Sequence, residues 1–235
     1  MTGSTQQRAG SIEVAAGTIV VFADLACPWA HVAVHRLHRT RAKLSLEGRV
    51  HFDVRAFPLE LVNGRSTPKR VLDAEIPVAG TVEPDAGWQV WQRRESEYPV
   101  TMLLALEAVL AAKEQSPGAS EELDRALRRA FFAESRCISL LTVILAAAAA
   151  CPGVDEDRLA GALASGRARP ELMAQADVAK SGAVAGSPHL FLPDGRDWPN
   201  PGIELHWSGE QGRGFPIIDR DDPQIYESLL TSAAS

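Results

Sequence analysis

The alternation of apolar and polar positions changes period several times along the chain, and each change marks an element. Thr18 to Phe22 is a β-branched and aromatic run that reads as a short strand. Beyond Cys27-Pro28 the apolar residues Ala30, Val34, Leu37 and Leu44 recur at helical spacing. Pro28 suits the first turn of that helix, where a missing N–H costs no hydrogen bond. From Arg49 to Phe57, Val50, Phe52, Val54 and Ala56 alternate with Arg49, His51, Asp53 and Arg55, a half-buried strand opened by the turn signal Glu47-Gly48. Strand, helix and strand with a crossover of this length predict a parallel pair in a right-handed βαβ unit.

The pattern then breaks. Pro58, Pro68, Pro77 and Pro84 predict a long loop with short helices up to about Pro99, of the kind that covers a site. Helical spacing returns with Met102, Leu103, Leu106, Val109 and Leu110, in a helix expected to open at Pro99 and stop at Ser116-Pro117-Gly118. A second helix is expected from Ser120, with Leu123, Leu127, Ala130 and Phe131 on one side, and a third from Ser139 to near Cys151. Asp155 caps a fourth that ends at Ser165-Gly166, and Pro170 starts a fifth that runs to about Lys180. His189 to Leu192 reads as a strand, with Pro193-Asp194-Gly195 as a turn and Ile203 to Trp207 as the expected returning strand. A last amphipathic helix spans Asp222 to Leu230.

Composition narrows the classes. The chain has 235 residues, 46% hydrophobic and 23% charged, enough for one large domain or a domain with an insertion. A net charge of -6 and the lack of a dense basic block argue against a nucleic-acid partner. Met1 to Ala16 lacks a signal-peptide core, and Ile138 to Ala150 is shorter than the roughly 20 apolar residues that span a bilayer. No membrane association and a cytoplasmic location are therefore expected. Three cysteines, Cys27, Cys137 and Cys151, do not make a disulfide-stapled secreted fold. The composition does not indicate an oligomeric state.

Chemistry concentrates at Cys27. A cysteine at a helix N-terminus meets unpaired N–H groups and the positive end of the macrodipole, so its thiol is expected to titrate below the roughly 8.5 of a free cysteine. Asp24-Leu25-Ala26-Cys27-Pro28-Trp29 followed by a helix resembles the active-site segment of the DsbA-like branch of the thioredoxin superfamily, in particular its FrnE-like cytoplasmic members. Gly182 to Phe191 resembles the loop that carries that superfamily's cis-proline, with Pro188 in the proline position. The resemblance implies an α/β thioredoxin-like fold with an inserted α-helical domain. Residues 1–15 would be a flexible tail, 16–57 and 181–235 the thioredoxin-like domain, and 58–180 the inserted loop and helical cap. It departs from the family in one respect: C-x-x-C is here Cys27-Pro28-Trp29-Ala30, so the resolving sulfur is absent.

The resemblance implies a catalytic Cys27 and a substrate-binding set of Pro28, Trp29, Ala30, His31, Ser187 and Pro188. Without a resolving thiol, Cys27 suits monothiol exchange on mixed disulfides, with glutathione or another low-molecular-weight thiol as co-substrate and no tightly bound cofactor. Protein disulfides are the other expected partner. Relatives of the branch, the kappa-class glutathione transferases and 2-hydroxychromene-2-carboxylate isomerases, suggest a second reading, in which one thiol or hydroxyl holds a bound thiol cofactor. A binding protein that keeps the groove without turnover is a third. His31, His35 and His38 share a helix face without a zinc-site framework, so no metal is expected and the face reads as polar. His31, one turn beyond Cys27, is placed to stabilise a thiolate. Cys137 and Cys151 read as structural thiols, with a resolving role for either as the alternative.

Overall fold

The computed structural model describes residues 12–235. Strand β1 (Thr18–Ala23) is the centre of a four-stranded sheet in the order β2-β1-β3-β4. Helix α1 (Pro28–Lys43) crosses to β2 (His51–Ala56), which pairs with β1 in parallel from Thr18 opposite His51 to Ala23 opposite Ala56. β3 (His189–Phe191) runs antiparallel to β1, and β4 (Asp197–Pro199) antiparallel to β3. The return strand is therefore 197–199. The expected partner, Ile203–Trp207 (β5), instead pairs with β6 (Pro216–Asp221) in a separate two-stranded sheet. Gly202 makes this departure possible, since at its φ of 77° a Cβ would strike the Asp222 carbonyl. Helix α9 (Ile225–Ala233) closes the chain against α1 and β1.

Between β2 and β3 lie α2 (Leu59–Val62), α3 (Lys69–Val82), α4 (Leu103–Lys113), α5 (Pro117–Phe132), α6 (Leu141–Ala148), α7 (Glu156–Ser165) and α8 (Arg169–Lys180), with 3₁₀ turns at Pro84–Ala86 and Glu95–Glu97. The expected loop of 58–99 thus holds a helix of 14 residues that runs through Pro77. Val71, Leu72, Glu75, Ile76 and Ala79 form its buried stripe. α4 begins at Leu103, beyond Pro99, and Ser116-Pro117 starts a helix as well as following one. The Ser116 hydroxyl accepts from the Ala119 N–H and Pro117 takes the first turn. Asp155 caps α7 and Gly166 ends it in the left-handed region, as the sequence indicates.

The helical layer finishes the sheet. β2 is an edge strand, and an uncovered edge presents N–H groups to any other strand. Here Glu121 of α5 accepts from Phe52 N–H at 2.8 Å and Gln175 of α8 from Ala56 N–H at 2.6 Å. The largest apolar cluster lies among α3 to α8, and a second gathers β1, α1 and α9. A third, around Phe22, Phe57 and Phe191, takes Ile12 and Val14 from the expected tail, of which residues 1–11 lie outside the described residues. Strand, helix, parallel strand, interposed helices, antiparallel hairpin and closing helix are a thioredoxin-like fold of the DsbA kind.

Candidate functional site

Cys27 is the N-cap of α1, with extended backbone and Pro28 in the first turn. Its thiol donates to the Ser187 carbonyl at 3.1 Å, and the Ser187 hydroxyl accepts from the Asp24 N–H at 2.8 Å. The Ser187-Pro188 peptide bond is cis. Asp24 holds the turn before Cys27 from below. Its carboxylate accepts from Ala26 N–H at 2.8 Å and Leu59 N–H at 2.9 Å, and its carbonyl accepts from Arg128 at 2.9 Å. Arg128 is itself fixed by Asp124 at 2.8 Å. A chain of buried polar contacts thus runs from α5 to the cysteine turn, with both Asp24 oxygens occupied.

A cavity of about 190 Å³ opens at this turn. Cys27, Pro28, Trp29 and Ser187 line it, facing Arg65, Arg70 and Glu75 from the loop before α3 and from α3 itself. Gln211 reaches it from the β5–β6 turn. Four of the expected site residues therefore meet in one place. Ala30 does not line the cavity: it has no exposed surface and belongs to the core around β1 and α1. Pro188 is buried behind Ser187, and it also lies off the lining.

His31 is the clearest correction. Its ring stacks on Phe132 with centroids 4.7 Å apart, meets Trp88 edge-on, and bonds through Nε2 to the Ala86 carbonyl at 3.0 Å. That bond requires the proton on Nε2, and burial holds the imidazole neutral by lowering its pKa to about 3. His31 thus faces a different cavity and offers the thiol no charge. His38 is half-buried and edge-on to Phe52, and His35 is half-buried too, so the three-histidine face is partly packed and not simply polar. Among the described residues no group of three or more His, Cys, Asp or Glu is arranged to hold a metal.

The thiol itself is not activated at rest. Cys27 is 6% exposed, and burial pushes its pKa up to about 12, with the Glu75 charge adding to the rise and Ser187 opposing it. Desolvation outweighs the helix N-terminus here, because loss of water penalises the whole charge while the helix end supplies only a fraction of one. Glu75 is 7% exposed, and its carboxyl is raised from 4.5 to about 7 by burial, with a hydrogen bond from the Trp29 side chain opposing the rise. An acid in the apolar stripe of α3 was a signal the chain carried, hidden by the prolines around it. Cys137 and Cys151 are free thiols, Cys151 bonding to the Ala147 carbonyl at 3.3 Å, and neither lines the Cys27 cavity.

Comparison with known proteins agrees with this fold. The family model described as DSBA-like thioredoxin domain matches residues 18–205. Among solved structures, the cytosolic disulfide reductase DsbM from Pseudomonas aeruginosa superposes with a TM-score of 0.64 at 15% identity, covering 91% of this chain and 97% of that one. DsbM has also been solved with GSH. A probable DsbA oxidoreductase from Streptomyces coelicolor gives 0.63 at 19% identity over 92% and 89% of the two chains. A 2-hydroxychromene-2-carboxylate isomerase gives 0.56 at 15% identity over 77% and 87%. No curated protein sequence matches.

Proposed function

Because the chain belongs to the DSBA-like thioredoxin domain family, we propose that it is a thiol–disulfide oxidoreductase of the FrnE-like type working with one thiol, Cys27. The observation that carries this is the cavity: among the described residues Cys27 is the only sulfur that lines it, and α1 has Ala30 where a resolving cysteine would stand. A lone thiol forms a mixed disulfide that waits for an external thiol. Arg65 and Arg70 give the cavity two guanidinium groups, which suits the carboxylates of a small peptide thiol such as glutathione. DsbM, described as a cytosolic reductase and solved with GSH, supports the same substrate class and a cytoplasmic setting. Among the described residues no helix is long and apolar enough to cross a membrane.

A second reading has its own support. The Cys27 thiol is held protonated and already donates a hydrogen bond. Such a group could hold the thiolate of a bound cofactor, as a transferase or isomerase would require, and one neighbour is a 2-hydroxychromene-2-carboxylate isomerase. Intact-mass analysis after exposure to oxidised glutathione separates the two. Thiol exchange gives a single adduct mapped to Cys27, released by reduced glutathione and absent from Cys27→Ser. Tight non-covalent binding of reduced glutathione with no adduct would instead favour the transferase or isomerase.

A further inference from the structure

The resting thiol needs somewhere to send its proton, and among the described residues the cavity wall carries one carboxyl, Glu75, which accepts a hydrogen bond from the Trp29 side chain. Asp24 lies behind Cys27, yet both its oxygens already accept backbone N–H groups. His31 faces away, with its one proton committed to Ala86. Arg65 and Arg70, the other charged groups on the wall, are donors only. Glu75 remains. Its buried carboxyl lines the same cavity as the sulfur, and among the described residues no cation lowers its pKa. We propose that Glu75 is the proton acceptor for Cys27, taking the thiol proton as the sulfur attacks and returning it to the departing thiolate.

This rests on the exchange reading and gives it a complete proton path. In the first step the Cys27 S–H proton passes to a Glu75 carboxylate oxygen while the sulfur bonds to one sulfur of a small mixed disulfide, R–S–S–R′. The R′ sulfur leaves as thiolate with the bonding pair and takes the proton back from Glu75. In the second step a low-molecular-weight thiol loses its proton to Glu75 and attacks the R sulfur. This releases Cys27, which regains the proton. The sum is exchange of one thiol for another with no external oxidant or reductant. A cavity of about 190 Å³ has room for water to relay the proton, since a single water needs only about 30 Å³. The raised pKa of the carboxyl, about 7, lets it gain and lose a proton near neutrality.

The geometry would also allow the opposite role, because a negative Glu75 disfavours the thiolate through space. Rates distinguish the two. Alkylation of Cys27 by iodoacetamide, followed by peptide-resolved mass spectrometry across pH, should rise with an inflection near 7 in the parent. In Glu75→Gln that inflection should vanish and the rate at neutral pH fall by roughly a hundredfold, the low end for removal of a general base. Glu75→Asp should restore part of the rate. A Gln variant that alkylates as fast as the parent, or faster, overturns the proposal. Should the variants not fold, the parent decides alone: a rate that climbs only in the alkaline range, without the neutral inflection, also overturns it. Alkylation does not depend on disulfide exchange. A parent that shows the Glu75-dependent profile but no turnover with oxidised glutathione would keep the proton acceptor and refute the exchange activity.

Discussion

Two stretches of α1 bury polar groups, in opposite ways. At mid-helix Arg36 is 1% exposed and fully engaged. It donates to Glu83 at 2.9 Å, to both oxygens of Asp221 at 2.7 and 3.0 Å, and to the Val82 carbonyl at 3.1 Å. Arg39 binds Glu83 as well. This cluster ties α1 to the end of α3 and to β6, and its desolvation is offset by charge-assisted hydrogen bonds. At the start of the same helix, Cys27 and the facing Glu75 of α3 are nearly as buried, but among the described residues no cation pairs with either. Their desolvation appears instead as raised pKa values. A saturated buried network holds elements together, whereas an unpaired one beside a cavity is left free to exchange protons.

The contrast breaks most readily at Arg36. Arg36→Ala leaves Glu83 and Asp221 short of a partner, and the expected loss is about 3–5 kcal/mol of unfolding free energy, read from urea denaturation. A loss below about 1 kcal/mol, the range of surface pairs, would mean that Arg39 and solvent carry the cluster without Arg36.

The unpaired end should show itself through pH. The native state holds a Glu75 proton that the unfolded chain has released above about 4.5, so stability falls as pH rises from there to about 7. The shift corresponds to a change on the order of 3 kcal/mol across that window. Asp24, raised from 3.8 to about 6 by burial, acts in the same direction and remains in Glu75→Gln as an internal reference. Urea midpoints of the Gln variant should therefore differ less between acid and neutral pH than those of the parent. Equal differences would show that Glu75 is solvated in solution.

The smallest effect is expected at His31. His31→Phe loses the bond to Ala86, about 1 kcal/mol, and keeps the stack on Phe132. Cys27 alkylation should not change. A slower reaction would return His31 to the role its sequence position suggests.

Local pattern carried much of the architecture into view. The alternation of 49–57, the first-turn prolines at 28 and 170, and the Asp155 and Gly166 caps depend on neighbours within a few residues, so they can be read without a partner. The Cys27 turn and the Ser187 loop were legible as a resemblance, and their meeting across 160 positions is a result of β1 pairing with β3. What only the tertiary structure decided concerns solvent and distant chain. Whether the helix end or desolvation governs the thiol depends on how much water the loop before α3 and the β5–β6 turn exclude. Whether His31 faces the sulfur depends on Phe132 and Trp88, both far along the chain, which turn its ring the other way. Glu75 lies in a stretch that reads as a proline-broken loop, and its place opposite Cys27 follows from α3 forming there and packing on α1. Periodicity within one helix does not specify that contact.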